Sequence, residues 1–163
     1  MMPLLLLAAA ASAPPLGVAA GTCHADAGET QIRVDVQGLK DRAGRLRLEL
    51  YPPNDSDFLA DDTILIKAGK SFARVDLPTP PAGPVNLCIR APEPGRYAIV
   101  LLHDRNSNHR FDFAGDGIGF AGNPRLGWSR PRATAATVTA GAGHTDITIV
   151  LNYLHGLSMR PEK

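Results

Sequence analysis

The sequence lacks an excess of charge of either sign. Lys and Arg total 17 and Asp and Glu total 16, so the formal net charge is +1. Basic residues form no stripe, which predicts no nucleic acid partner and gives no indication of an anionic membrane surface. Three arginines do lie close together, Arg125, Arg130 and Arg132. A solvated loop is the simplest interpretation of that cluster.

Cysteine is also scarce, because the chain has only Cys23 and Cys88. Neither belongs to a CxxC pair and neither has a neighbouring histidine that would favour a Cys–Cys metal site. In an oxidising compartment an even count indicates one disulfide, Cys23–Cys88. Two unpaired thiols are the alternative interpretation.

The apolar stretch at the N-terminus is interrupted by Pro14 and Pro15 and is too short to span a bilayer. Residues 1–20 instead have the pattern of a secretory signal peptide, with Val18 and Ala20 placed as a signal peptidase requires. We therefore expect a periplasmic or secreted protein with no integral membrane segment after cleavage. Residues 21–29 are predicted to be an N-terminal linker.

No stretch carries a long helical period, whereas Gly 16 and Pro 14 punctuate short alternating apolar runs. The pattern predicts an all-β domain over residues 30–154, a two-sheet antiparallel sandwich of seven to eight strands. The first two strands are expected to form a hairpin, and residues 155–163 to form a disordered tail. The predicted strands cover residues 31–36, 45–51, 63–67, 70–77, 85–90, 97–103, 135–139 and 146–153.

One polar loop follows the most apolar predicted strand. Its oxygen-bearing positions alternate, with the spacing of a calcium loop, and a mid-loop backbone carbonyl adds a further oxygen ligand. One interpretation is therefore a structural Ca²⁺ site; the other is an Asx-rich turn whose side chains bind their own backbone. The loop departs from the calcium pattern, since position six is His109 and position twelve carries no Glu. The candidate metal ligands are Asp104, Asn106, Asn108, Arg110 (through its carbonyl), Asp112 and Asp116.

Two further chemistries are weighed against simpler structural roles. His103 with Asp104 or Asp112 would suit acid–base hydrolysis, although a histidine at a strand end usually satisfies a structural contact. Trp128 would suit stacking on a sugar ring, although it would equally pack its own loop onto the sandwich. No nucleophile or metalloprotease motif accompanies them.

The order of these motifs resembles the DUF2141 family of small exported bacterial proteins. The similarity covers residues 30–154 and is carried by residues 94–98, the run from His103 to Asn108, residues 111–112 and residues 117–124. It implies a transthyretin-like or immunoglobulin-like sandwich and assigns no activity. The family pattern has glycine where this chain has Ser107 and His109, and an acidic residue in place of Arg105, so a calcium site here is expected to be weaker.

Together these patterns predict an exported, non-enzymatic β-sandwich that binds an unknown envelope or extracellular ligand or has a structural role there. Its loop 104–116 is the candidate Ca²⁺-organised region. A carbohydrate- or cell-wall-binding module using the Trp128 loop is the first alternative. A hydrolase using His103 is the second.

Overall fold

The computed structural model describes residues 17, 21–24 and 28–162. The predicted signal peptide lies outside the described residues except for Gly17. The described part has one short helix, α1 (Asp62–Lys67), a 3-10 turn (Ala133–Ala136) and ten strands. The strands are β1 (Gln31–Gln37), β2 (Arg45–Tyr51), β3 (Ala73–Pro78), β4 (Val85–Arg90), β5 (Gly95–Asp104), β6 (Gly117–Phe120), β7 (Thr137–Ala140), β8 (His144–Val150), β9 (Asn152–His155) and β10 (Ser158–Pro161).

The strands form two sheets, which confirms the predicted all-β sandwich. The smaller sheet has the order β4-β1-β8, and the larger has the order β10-β9-β6-β5-β2-β3 with β7 also paired to β5. β1 runs parallel to β8, whereas the other strand pairs are antiparallel. No described helix is both long and apolar enough to cross a membrane.

The inner faces of both sheets build the main core. Alternate residues of β1, beginning with Ile32 and Val34, face alternate residues of β2 and β5 such as Leu48 and Leu101, all essentially buried. This two-residue period is the one that the sequence showed, and it follows from side chains alternating across a strand.

The predicted opening hairpin is wrong. β1 pairs with β4 and β8 in the small sheet, while β2 pairs with β3 and β5 in the large one. The intervening residues 38–44 therefore cross from one sheet to the other. Both strands have one apolar face, and that pattern fits two facing sheets as well as it fits a hairpin.

Residues 62–67 are a helix and not the predicted strand over 63–67. Asp61 supplies the reason, since its carboxylate accepts hydrogen bonds from the backbone N–H of Thr63 at 2.9 Å and of Ile64 at 3.2 Å. This is the arrangement of a helix N-cap, and it satisfies two donors that a helix start would otherwise leave free. Only Leu65 of this helix is buried.

The C-terminal segment also departs from prediction, because Ser158–Pro161 form a strand within the range 155–163 that was expected to be a disordered tail. β10 pairs with β9 through a two-residue turn at Gly156 and Leu157. Gly156 has a φ of 63°, a conformation that glycine adopts without steric cost. Met159 is buried, so the hairpin is held by packing as well as by backbone pairing.

A second apolar cluster covers the outer face of the large sheet. Residues 52–72 and 121–136 lie over this face. Phe58 and Phe72 of the first segment pack there against Tyr51 of β2 and Phe120 of β6. Arg130 holds the second covering segment in place by donating to the carbonyl oxygen of Phe58 at 2.9 Å. Asp55 accepts the backbone N–H of Ala133 at 2.7 Å. This covered face ends at the apolar region described below.

Candidate functional site

The polar loop 104–116 is closed by hydrogen bonds to its own backbone. Asp104, nearly fully buried, accepts the N–H of Asn108 at 3.1 Å and of His109 at 2.7 Å. Asp116, also nearly buried, accepts the N–H of Arg105 at 2.9 Å and of Asp112 at 2.8 Å. The two carboxylates thus tie the two halves of the loop together.

Three other candidate ligands converge inside the loop. The amide nitrogens of Asn106 and Asn108 each lie 2.7 Å from Oδ2 of Asp112. The side-chain oxygens of the same two asparagines accept the N–H of Asn108 at 3.0 Å and of Arg110 at 2.9 Å. This is the hydrogen-bonded Asx arrangement that was one of the two sequence interpretations.

The acidic side chains of the loop do not gather into a metal cluster of their own. Within the described ranges, no group of three or more His, Cys, Asp or Glu side chains is placed to hold a metal ion. Any oxygen-ligand site here would therefore depend on Asn106, Asn108 and the Arg110 carbonyl together with the carboxylates.

The loop backbone does follow one feature of calcium loops. Ser107 and His109 have φ values of 57° and 63°, in the left-handed region. His109 is the sixth position counted from Asp104, where calcium loops need glycine for a sharp turn. These are also the two positions at which the resembling family pattern has glycine, so the backbone keeps the turn although the side chains differ.

Residues 41–44, which precede β2, contact the start of the polar loop. Arg105 pairs with Asp41, and the pKa of that carboxyl lies below its usual range because the guanidinium donates hydrogen bonds to it. Gly44, at φ 65°, leaves no room for a Cβ against the carbonyl oxygen of Asp104. On the other side, Arg47 of β2 donates to the carbonyl of His109 at 3.0 Å. The loop is consequently fixed to the segment before β2 and to the N-terminal half of β2.

His103 is buried at the end of β5 with 0% of its surface exposed. Its Nε2 lies 2.8 Å from the carbonyl oxygen of Ala43, and its Nδ1 lies 2.7 Å from the hydroxyl of Tyr153. A carbonyl only accepts, so Nε2 carries the proton and Nδ1 of the neutral ring accepts from Tyr153. Burial lowers the pKa of His103 and raises that of Tyr153 to about 12.

Cys23 and Cys88 form a disulfide with their Cα atoms 5.9 Å apart. It ties the N-terminal linker to β4, where Thr22 also makes a bridge to Ile89. The carbonyl of Gly21 accepts the N–H of Arg90 at 2.7 Å. Residues 21–24 therefore continue the small sheet at its edge.

A different region of the surface carries exposed apolar side chains. We call the exposed Phe111, Trp128 and Leu157, together with the half-buried Phe113, the apolar face. The Trp128 ring stacks on Phe113, with centroids 5.3 Å apart and 27° between planes, and Phe111 meets Phe113 edge to face at 6.2 Å. Trp128 is nevertheless 70% exposed and Leu157 81% exposed. Trp128 thus packs against its neighbour without being buried by it.

The apolar face borders a cleft of about 180 Å³. Leu59, Ile118, Phe120 and Leu126 contribute to its lining, together with Met159 of β10. Trp128 and Leu157 also border a smaller hollow of about 70 Å³ on the other side of the indole ring. Sequence reasoning named Trp128 but not this face, because its members come from three segments that are far apart in the chain.

A family model described as an uncharacterized protein conserved in bacteria, DUF2141, matches residues 34–148. The chain belongs to the DUF2141 family. The match spans most of the described part, from β1 to β8, and includes the polar loop and Trp128. No curated protein and no solved structure matches the sequence.

The DUF2141 family is uncharacterized, so membership of it assigns no activity to the residues described above. The side chains of the polar loop are hydrogen-bonded within the loop, and His103 has both ring nitrogens hydrogen-bonded. On the apolar face, by contrast, Trp128 and Leu157 stay largely exposed beside a cleft. The apolar face and its cleft are therefore the candidate ligand site.

Proposed function

We propose that this DUF2141 protein is an exported, non-enzymatic module that binds an envelope or extracellular ligand through the apolar face. The carrying observation is where exposed large apolar side chains lie. Six such residues are exposed in the described part, and three of them lie together: Phe111 and Trp128 line the cleft, and Trp128 and Leu157 line the adjacent hollow. Contiguous exposed apolar patches on small proteins usually mark interaction sites.

The geometry around His103 supports a non-enzymatic role. General acid–base catalysis needs a side chain within reach of a substrate proton. His103 is buried and hydrogen-bonded at both nitrogens, and Asp104 is committed to two backbone N–H groups. The hydrolase alternative would require this whole network to open.

Export is supported by the N-terminal sequence and by the disulfide. Residues 1–20 have the composition of a signal peptide, and disulfides persist in oxidising compartments. The Cys23–Cys88 bond joins the residues just after that segment to the sandwich. We therefore place the protein in the periplasm or outside the cell.

The carbohydrate alternative fits the cleft less well. An exposed indole ring is suited to stacking on a sugar, but sugar hydroxyls also need hydrogen-bonding side chains. Of the residues that line the cleft, only Ser129 and Arg130 have such side chains apart from the indole N–H of Trp128 itself. Arg130 already donates to the carbonyls of Phe58 and Asp55.

Co-sedimentation with two envelope fractions tests the proposed function. Isolated cell walls and vesicles of total envelope lipid would each be incubated with wild type, Trp128→Ala and Leu77→Ala. Leu77 is the matched control, because it is an exposed large apolar residue on β3 outside the cleft. We expect one fraction to retain wild type and Leu77→Ala but not Trp128→Ala. Equal retention of all three, or of none on either fraction, would contradict the proposal.

A weak structural Ca²⁺ site in loop 104–116 is a second proposal. It is favoured by the alternating spacing of Asp104, Asn106, Asn108 and Asp112 and by the left-handed turn at His109. The ion would be held by oxygen atoms of the loop and would supply rigidity. With an affinity of the weak extracellular kind, 10 mM Ca²⁺ would stabilise the fold by roughly 2 kcal/mol. Thermal melts in EDTA and then Ca²⁺ test this, and identical midpoints would rule the site out.

A further inference from the structure

We propose that the apolar face docks on an anionic lipid surface, with Trp128 and Leu157 entering the interfacial region. This inference rests on the proposed function, since it names the ligand of the same face. The argument uses the shape of the face, the size of the cleft and the charges beside it.

The exposed apolar side chains stand on three separate segments at one place. Phe111 comes from the polar loop, Trp128 from the covering segment 121–136, and Leu157 from the turn between β9 and β10. The stacking of Trp128 on Phe113 and the hollow shared by Trp128 and Leu157 make them one continuous surface. Projecting Trp, Phe and Leu side chains are those that proteins place at a membrane interface.

The cleft is too small to enclose a typical soluble ligand. Its volume of about 180 Å³ lies below the roughly 300–1,000 Å³ of pockets that bury small molecules. The two most exposed members of the face, Trp128 and Leu157, project beyond the cleft. A small ligand held in the cleft would leave these two side chains in water. Insertion into a lipid surface would remove them from water, which is favourable for apolar groups.

The charges beside the face are mainly basic. Arg110, Arg125 and Arg132 are the sequence neighbours of Phe111, Leu126 and Pro131, which line the cleft. None of these arginines makes an ion pair within the part of the chain described.

The one acidic residue that adjoins a cleft-lining residue is Asp112. Its carboxylate accepts from the Asn106 and Asn108 amides and forms no ion pair with the arginines in the described part, so one negative charge stands against three positive ones. Free arginines beside projecting apolar side chains fit a surface of anionic headgroups over acyl chains.

Fluorescence of Trp128 provides the test, because it is the only tryptophan in the chain. The full chain would be titrated with vesicles of phosphatidylglycerol in phosphatidylcholine, with phosphatidylcholine alone, and with the same lipids carrying brominated acyl chains. We expect a blue shift and bromine quenching with the anionic vesicles only, weakened by salt. Leu157→Ala should bind roughly tenfold more weakly, whereas Leu77→Ala should bind like wild type.

The other results separate this inference from the proposed function. If vesicles leave Trp128 unchanged while cell walls retain the protein in a Trp128-dependent way, the lipid inference is wrong and the proposed function stands. A shift with an acidic peptide but not with vesicles would overturn it in favour of a protein partner. Equal binding of Leu157→Ala and wild type would also overturn it. Membrane binding by residues 1–20 would be the same in every variant and would not move Trp128 emission.

Discussion

The polar loop 104–116 and the apolar face lie next to each other, since Phe111 belongs to both, yet they differ in how their side chains are satisfied. In the loop, Asp104 and Asp116 are buried and each accepts two backbone N–H groups. On the apolar face, Trp128 and Leu157 remain mostly in contact with water. The comparison indicates that the polar loop maintains the fold, and it is the basis for our proposal that the Trp128 region binds the ligand.

The variant with the largest expected effect tests whether the polar loop stabilises the fold. Asp104→Ala would remove a buried carboxylate, leave the N–H of His109 without an acceptor and leave the N–H of Asn108 with only the side-chain oxygen of Asn106. We expect a loss of about 3 kcal/mol in the free energy of unfolding, measured by urea denaturation. The control is Asp146→Ala, whose exposed carboxylate pairs with Arg33 and should contribute less than about 1 kcal/mol. Similar losses in both variants would show that the loop does not hold the fold.

Ser107→Gly is expected to stabilise the protein. Ser107 has a φ of 57°, and a non-glycine residue in that region costs about 1 kcal/mol relative to glycine. Because its side chain makes no hydrogen bond in the described network, the gain should appear as an increase of about that size in unfolding free energy. Ser56→Gly, in a loop elsewhere, should give no gain. A destabilised Ser107→Gly variant would contradict the left-handed turn.

Because His103 is buried as a neutral ring, we predict that the free energy of unfolding depends on pH. Burial lowers its pKa in the folded state, so below about pH 6.5 the unfolded chain takes up the proton first. Stability should therefore fall as the pH decreases from 7 to 5, while Asp41 stays ionised because its own pKa is lowered by Arg105. Denaturation of wild type and His103→Asn at both pH values measures the effect. An equal pH slope in the two proteins would exclude His103 as its source.

The smallest expected effect on stability belongs to the apolar face. Trp128→Ala should change the free energy of unfolding by less than about 1 kcal/mol, since the indole is largely exposed and loses mainly its stack on Phe113. The same change should abolish retention on the envelope fraction. Thermal melts run beside the binding assay check this, and a loss of several kcal/mol would assign Trp128 to the core instead.

Much of the fold follows from local sequence pattern, and the rest depends on contacts between distant segments. Alternation places β2 and β4 at their observed bounds because one face of each strand is buried. It does not predict that β1 and β2 belong to different sheets, because sheet membership depends on pairing with distant strands: β1 pairs with β4 and β8, and β2 pairs with β5. The helix at residues 62–67 was missed although Asp61, its cap, is visible in the sequence.

The candidate site divides in the same way. The alternating Asp and Asn residues are neighbours in sequence, so the Asx network was among the interpretations that the sequence allowed. The apolar face joins Phe111, Trp128 and Leu157 only after folding, and Leu157 fell in a segment expected to be disordered. A Trp next to glycine and flanked by arginines was the available signal, and it did not show whether the ring would be buried.

Hydrogen exchange of the backbone N–H groups, with and without phosphatidylglycerol vesicles, tests the central comparison most directly. Without vesicles we predict slow exchange at Asn108, His109 and Asp112 and faster exchange around Trp128 and Leu157. With vesicles, new protection should appear at residues 126–129 and 156–158 while residues 104–110 stay unchanged. Protection that appears in the polar loop and not around Trp128 would contradict the assignment of structure to one region and binding to the other.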